Sequence, residues 1–251
     1  MKTIFTRQAW FDKLLPEGFP LKTATLISGP GGTGKPLIGD TIVAAWLRQG
    51  GSVVFMSLQY PSTDFITTSL KMVADLDLAD YADRTAFIEL DATMDGMEKM
   101  AGNHIRANVV KPDIWVRALD EAAGMVPDEG PGVLIFGSAL NLLLFSPTYG
   151  RAILEQMKRT MIEDHRRTYL FSASTTAKKE EIAEIEAVAD NLMMARSQKE
   201  PFRLFLSILR MKGVPFSTEE VEVPIPPQHL HEIKAVADHS RKRVIPQVSQ
   251  L

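Results

Sequence analysis

Residues 29–36, GPGGTGKP, come close to the glycine-rich loop that binds phosphate groups in nucleotide-binding proteins. The pattern G-x-x-x-x-G-K-[ST] holds as far as the lysine, and a proline then stands where serine or threonine is expected. Backbone N–H groups of such a loop point into one concavity, and its lysine reaches the terminal phosphates. The segment therefore predicts a phosphate-binding loop made by Gly29, Pro30, Gly31, Gly32, Thr33, Gly34, Lys35 and Pro36.

Pro36 changes the chemistry of this loop more than its fold. The hydroxyl expected at this position ligates Mg²⁺, and proline lacks both the hydroxyl and one backbone N–H. Proline is tolerated in the first turn of a helix, where N–H groups have no intrahelical partner. We expect a loop that keeps its shape and loses a metal ligand. The alternative is a tight strand-to-helix turn that needs glycine and binds nothing.

The second magnesium contact in proteins with this loop comes from an aspartate that ends an apolar strand. The candidate strand, VLIFGSALN, has Gly137 at the expected position and contains no acid. Metal ligands are thus missing at Pro36 and Gly137, so we predict no metal site and regard Mg²⁺ binding as doubtful. Asp40, one turn into the helix after the loop, is the one nearby acid that could approach a metal.

The elements around the loop alternate between strand and helix. Continuous apolar runs predict strands over residues 23–29, 52–58, 85–90, 132–138 and 168–174, and helical spacing predicts helices over 36–50, 113–124 and 148–165. Strands that are apolar throughout and alternate with helices indicate a parallel sheet covered on both faces. Three last strands follow one another without helices and predict an antiparallel edge, in residues 191–196, 202–213 and 219–225.

The same pattern predicts how the chain is divided. Residues 1–225 read as one α/β domain, and residues 226–251 as a C-terminal segment with a turn, a basic helix to residue 243 and a loose tail. The basic stretch HSRKR (239–243) has no interleaved aromatic residues, so we expect no contact with nucleic acid.

Composition narrows the class of protein. The 251 residues are 45% hydrophobic and 24% charged, with a formal net charge of −3, which gives no general attraction to nucleic acid or membranes. Cysteine is absent, which excludes disulfides and thiolate metal sites. The amino terminus has no apolar signal region, and the longest apolar run is too short to span a bilayer. We expect a cytoplasmic protein without a membrane partner.

The chain resembles the RecA-like P-loop ATPases of the KaiC group, in their single-domain form. The resemblance covers residues 7–225 in the family's order and rests on WFDKLLPEGFPLKTATLISGPGGTGK, GGSVVFMSLQYPSTDF, VLIFGSALNLL, EAVADNLMMA and LSILRMKGVPF. It implies a RecA-like fold, in which helices flank a mostly parallel twisted sheet with an antiparallel C-terminal edge. It also implies ATP or ADP as ligand and a homo-oligomer, with hexameric rings among the known forms.

The resemblance also assigns catalytic positions. The water-activating glutamate of the family would fall at Gln59, or at Tyr60 beside it, and Gln59 can orient a water but cannot take its proton. Arg210 and Lys212 match the basic pair that reaches the γ-phosphate of a neighbouring subunit. The departures at Pro36, Gly137 and Gln59 fall on the positions that hydrolysis needs.

Three hypotheses follow from these departures. The first is a degenerate KaiC-like pseudoenzyme that binds nucleotide, hydrolyses it poorly or not at all, and serves as a regulatory or scaffolding partner of a competent KaiC-like paralogue in signal transduction. The second is a divergent ATPase in a homo-oligomeric ring, with magnesium held by phosphates and waters. The third is a recombinase-like protein that binds nucleic acid, which has only fold analogy and the basic stretch in its favour.

Overall fold

The computed structural model describes residues 1–60, 62–224 and 238–251. Within these residues the strands are β1 (Thr3–Ile4), β2 (Phe19–Pro20), β3 (Ala24–Ser28), β4 (Ser52–Ser57), β5 (Thr85–Leu90), β6 (Met97–Lys99), β7 (His104–Ala107), β8 (Val133–Gly137), β9 (Thr168–Ser172), β10 (Asn191–Lys199), β11 (Phe202–Arg210) and β12 (Val221–Val223).

The helices of the described residues lie between these strands. They are α1 (Ala9–Leu14), α2 (Lys35–Arg48), α3 (Thr63–Ala74), α4 (Pro112–Gly124), α5 (Gly150–Glu163) and α6 (Lys179–Val188), with two 3-10 helices, Leu78–Tyr81 and Leu140–Phe145. Near the end of the chain a π-helical turn, Ser240–Val244, continues into an α-helical turn, Ile245–Val248, and the two together are called the C-terminal helix.

One ten-stranded sheet dominates the molecule, in the order β12-β11-β10-β3-β9-β8-β4-β5-β7-β6. The strands from β10 to β7 are parallel, whereas β10, β11 and β12 pair antiparallel. This confirms the predicted α/β class, the mostly parallel sheet and the antiparallel C-terminal edge. β3, β4, β8 and β9 are buried along their whole length because helices cover both faces, as their continuous apolar sequences predict.

Two hydrophobic clusters lie on opposite faces of the sheet, and β4 contributes to both. Val54 and Met56 belong to one cluster, while Val53 and Phe55 belong to the other, in keeping with the alternation of side chains along a strand. The loop between β3 and α2 lies at the carboxyl ends of the parallel strands, where ligands of open α/β sheets bind.

Two features differ from the sequence prediction. The hairpin of β6 and β7 adds an antiparallel pair at the other edge of the sheet, and the short, mostly exposed sequence Met97–Lys99 carries no strand signal that would predict it. The chain end was predicted to be loose, and this is wrong: Val248 is fully buried, and Val244 is 7% exposed in the same hydrophobic cluster.

Part of the predicted C-terminal segment lies outside the described residues. The turn and helix expected from residue 226 fall on residues 225–237, whereas residues 238–243 are helical. The division of the chain at residue 225 stays a prediction. No helix in the described part of the chain is long and apolar enough to cross a membrane.

Candidate functional site

The glycine-rich loop links the end of β3 to the start of α2, and its glycines are required by conformation. Gly29 has a φ of +145°, and a β-carbon there would collide with the carbonyl oxygen of Ala195 on the neighbouring β10. Gly32 and Gly34 have φ values of +72° and +80°, in the region that favours glycine. The glycine pattern therefore corresponds to a fixed backbone shape and not to a flexible linker.

Lys35 is held inside this loop by the loop itself. Its side chain is buried, at 6% exposure. Its Nζ donates to the carbonyl oxygens of Gly29 at 2.9 Å and Pro30 at 2.6 Å, and lies 3.3 Å from Oγ1 of Thr33. Burial lowers the pKa of Lys35 to about 8. The ammonium group is thus held in the loop before any ligand binds, and an anion on the loop would stabilise its charged form.

Pro36 lies in the first turn of α2, which runs on without interruption to Arg48. Gly34 occupies the N-cap position and has no side chain with which to bond the first N–H groups of the helix. Pro36 has no N–H, and the N–H of Leu37 donates to the carbonyl oxygen of Gly34 at 3.0 Å, so α2 offers a phosphate the N–H of Lys35 and the partial positive charge of the helix end. Pro36 offers no side-chain oxygen to a metal ion.

A cavity of about 430 Å³ opens beside the loop. The loop forms one wall, and residues after β4, β8 and β9 and from the C-terminal helix form the others. Among the described residues that line the cavity, Lys35 is the one charged side chain and none is acidic. Its lining includes the apolar or aromatic residues Leu37, Tyr60, Phe65, Leu142, Phe145 and Ile245.

Gly137, the position at which the sequence leads us to expect a metal-binding acid, lies against an aromatic ring. Gly137 ends β8 directly beside Phe171 of β9, its partner in the parallel register. A β-carbon on Gly137 would lie 2.9 Å from Cδ1 of Phe171, closer than real contacts allow. The residues present do not fit a magnesium ion at this place. No cluster of metal-ligating side chains occurs elsewhere in the ranges that the structure describes.

Gln59 lies at the cavity and is hydrogen-bonded to its own chain. Its Nε2 donates to Oγ of Ser138, 3.0 Å away, at the end of the strand that carries Gly137. Tyr60 lines the cavity next to it, and its pKa is raised by burial and by the charge of Asp40. Gln59 is therefore a neutral amide at the cavity that bonds a neutral hydroxyl of its own chain.

Two polar contacts near the loop were not predicted from the sequence. The N–H of Gly31 donates to Oγ1 of Thr176 at 2.9 Å, so a hydroxyl from the segment after β9 already satisfies one amide of the loop. Asp40 is 1% exposed and accepts a hydrogen bond from Ser69 of α3. Burial raises the pKa of Asp40 to about 7. Asp40 faces a neighbouring helix, and it is not among the residues that line the cavity.

Comparison with known proteins shows the family to which the chain belongs and a shared fold. Residues 6–235 match the family model described as ATPase: KaiC. The chain belongs to the KaiC ATPase family. A KaiC-like protein from Pyrococcus horikoshii has the same fold, with a TM-score of 0.69 at 17% identity, over 90% of this chain and 96% of that one.

Two relatives are described only as UPF0273 proteins. One, from Pyrobaculum aerophilum, is 26% identical over 60% of this chain and 52% of its own length. The other, from Saccharolobus solfataricus, is 26% identical over 64% of this chain and 56% of its own. This KaiC-family chain thus spans about half the length of the curated relatives it matches. The family match ends at residue 235, so the C-terminal helix lies beyond it.

Arg210 and Lys212 lie far from the loop of their own chain. Asp190 accepts hydrogen bonds from Nζ of Lys212, at 2.8 Å, and from the N–H of Ala24, the first residue of β3. Arg210 donates to the carbonyl oxygen of Ala189 next to it. Because the phosphate loop follows the other end of β3, this KaiC-family protein keeps the two basic residues apart from its own loop.

Proposed function

We propose that this KaiC-family protein binds ATP or ADP on the loop 29–36 without a magnesium site of its own and hydrolyses it poorly or not at all. The observation that carries the proposal is the contact between Gly137 and Phe171, because it closes the position from which an acid would reach the metal. The preformed loop and the buried ammonium of Lys35 support binding.

The groups that hydrolysis needs are absent together. Pro36 has no hydroxyl for the metal, and Gln59 is a neutral amide bonded to Ser138. Loss of one such electrostatic group lowers the turnover number by a factor on the order of 10² to 10³, although these losses are not additive. A nucleotide bound to this loop would therefore not be consumed by hydrolysis. This suits a protein that signals by having nucleotide bound.

A regulatory or scaffolding role follows from that persistence. The natural partner is a competent KaiC-like paralogue, with this chain as a nucleotide-bound subunit in signal transduction. Arg210 and Lys212 support assembly into a homo-oligomer or mixed ring, because they lie apart from the loop of their own chain and would reach a phosphate only on the loop of a neighbouring subunit. Both side chains are exposed, although each bonds within its own chain.

Calorimetric titration with ATP and ADP, once with excess Mg²⁺ and once with EDTA, tests the proposal. We expect the unchanged protein to bind nucleotide with equal affinity in the two buffers and Lys35→Ala to lose binding. The unchanged protein should release no more phosphate from ATP than Lys35→Ala does. Affinity that needs Mg²⁺, or turnover that Lys35→Ala abolishes, would overturn the proposal. No binding in either buffer would reduce the protein to a scaffold.

The competing function is a divergent ATPase in a homo-oligomeric ring. The exposed basic residues Arg210 and Lys212 at the far end of β3 favour it, since a ring would bring them to a neighbour's loop. It requires turnover that rises with protein concentration and falls in Arg210→Ala. A concentration series of the ATPase assay separates the two functions.

A further inference from the structure

We propose that the cavity beside the loop binds the apolar body of a ligand whose phosphate lies on the loop. The ligand class is a phosphate monoester of an apolar aliphatic or aromatic group, bound without metal. This inference rests on the proposed function in one respect, that the loop binds phosphate. It goes further by assigning a second part of the ligand to the side where related enzymes hold magnesium and water.

Charge in the site supports a ligand with one phosphate. Lys35 is the one charged side chain among the described residues of the lining, and the amino end of α2 adds a partial positive charge. A phosphate monoester carries about −1.5 to −2 at pH 7, which these groups can balance. A triphosphate on the same loop carries more charge than these groups balance, so without a metal its charge is neutralised less completely than that of a monoester.

Polar groups of the lining lie close to the loop. A β-carbon on Gly31 would lie 3.1 Å from Oγ of Ser174 and 3.2 Å from Oγ1 of Thr176. The hydroxyl of Thr176 accepts from the N–H of Gly31, so it occupies an amide that a phosphate oxygen would take. The cavity is therefore polar next to the loop, which suits the phosphate end of the ligand.

Apolar side chains lie opposite, on three separate elements. Phe65 belongs to α3, Leu142 and Phe145 to the 3-10 helix after β8, and Ile245 to the C-terminal helix. The volume of about 430 Å³ lies within the range of roughly 300 to 1,000 Å³ of small-molecule sites. A cavity with apolar walls binds hydrocarbon and disfavours a hydrated ion.

One part of this wall, the C-terminal helix, lies beyond the family match, which ends at residue 235. Val244 and Val248 are buried in the hydrophobic cluster and fix the helix, and Ile245 between them lines the cavity. A residue outside the matched range thus contributes to the apolar wall of the cavity.

Titration with inorganic phosphate and with ethyl, butyl, hexyl and phenyl phosphate, all in EDTA, tests the inference. We expect affinity to rise on the order of fourfold for each methylene that enters the cavity, and phenyl phosphate to bind more tightly than inorganic phosphate. Lys35→Ala should lose binding of every probe. The series on the unchanged protein needs no variant to fold.

Ile245→Asn tests the wall itself. It should lower the affinity for hexyl phosphate on the order of tenfold and leave inorganic phosphate unchanged. The matched control is Ile162→Asn, which changes an isoleucine of α5 that is 52% exposed and should affect neither probe.

The outcomes separate the two proposals. If phosphate and ADP bind through Lys35 but the affinity for alkyl phosphates does not depend on the length of the alkyl group, the cavity inference is overturned and the proposed function stands. Equal losses in Ile245→Asn and Ile162→Asn would also overturn the cavity inference. If no probe and no nucleotide binds, both proposals fail.

Discussion

The ring of Phe171 covers Gly137 so closely that a β-carbon on the glycine would lie 2.9 Å from Cδ1 and 3.1 Å from Cε1 of the ring. The two residues are neighbours across the parallel strands β8 and β9. Any side chain at position 137 therefore requires the ring of Phe171 to move. Aspartate at this position would meet the ring already at its β-carbon.

Gly137→Ala should therefore destabilise the protein even though it adds only a methyl group. We expect the free energy of unfolding to fall by about 1 to 3 kcal/mol, as for other overpacked cores, in urea denaturation. Gly124→Ala is the matched control, since nothing lies within 4 Å of its β-carbon, and it should not destabilise. In combination with Phe171→Leu the cost of Gly137→Ala should shrink, and strictly additive effects would contradict the contact.

Binding of phosphate ligands should depend on pH through Lys35. Burial lowers the pKa of its ammonium to about 8 in the unliganded protein, whereas a bound anion favours the charged form. Affinity should be level between pH 7 and 7.5 and fall toward tenfold per pH unit above 8. Calorimetry at pH 9 in buffers of different ionisation enthalpy should detect uptake of about one proton on binding. Binding without proton uptake at pH 9 would contradict the lowered pKa.

Much of the fold was predictable because single strands carry their own signal. The runs that became β3, β4, β8 and β9 are apolar throughout, and this alone indicates burial on both faces. The glycine-rich loop was equally readable, since residues 29–35 specify a local backbone shape. The strands and the loop could be predicted because their structure depends mainly on residues that are close in the sequence.

The lining of the site could not be predicted, because distant segments meet there. Phe171 covers Gly137 because of the register between β8 and β9. Ser69 donates a hydrogen bond to Asp40 because α3 packs on α2. The residues after 243 were predicted to form a loose tail, yet Val248 is buried. The tail VIPQVSQL contains apolar residues, but which of them pack on the core depends on tertiary contacts that the local sequence does not specify.

Arg210 should matter for stability and not for binding on its own chain. Its guanidinium donates to the backbone carbonyl oxygens of Glu186 and Ala189, which fixes the turn before β10. We expect Arg210→Ala to lower the free energy of unfolding by about 1 kcal/mol and to leave the affinity of a monomer for ADP unchanged. Arg203→Ala is the control, because its ion pair with Glu222 spans 3.6 Å at the surface and should contribute little. A loss of ADP affinity in monomeric Arg210→Ala would place this residue in its own site.

Asp40 should make the protein less stable as the pH rises. Burial raises the pKa of its carboxyl to about 7, against an ordinary value of 3.8, while the hydrogen bond from Ser69 opposes this shift. The folded protein therefore binds more protons than the unfolded chain between pH 4 and 7. The stabilisation from this group is fully present below pH 4 and is lost as the pH rises through 7.

Asp40→Asn isolates this effect from the other carboxyl groups. From pH 4 to 7 the unfolding free energy of the unchanged protein should fall relative to that of the variant by about 1.4 kcal/mol per pH unit. The relative change should reach about 4 kcal/mol at pH 7 and stay constant above it. Ser69→Ala removes a hydrogen bond that favours the ionised carboxyl of Asp40, so the pKa of Asp40 in this variant should be higher. The decrease of its unfolding free energy with pH should therefore continue above pH 7. Urea denaturation of the three proteins at half-unit steps measures these curves. Parallel curves for Asp40→Asn and the unchanged protein between pH 4 and 8 would mean that the buried carboxyl is ionised throughout.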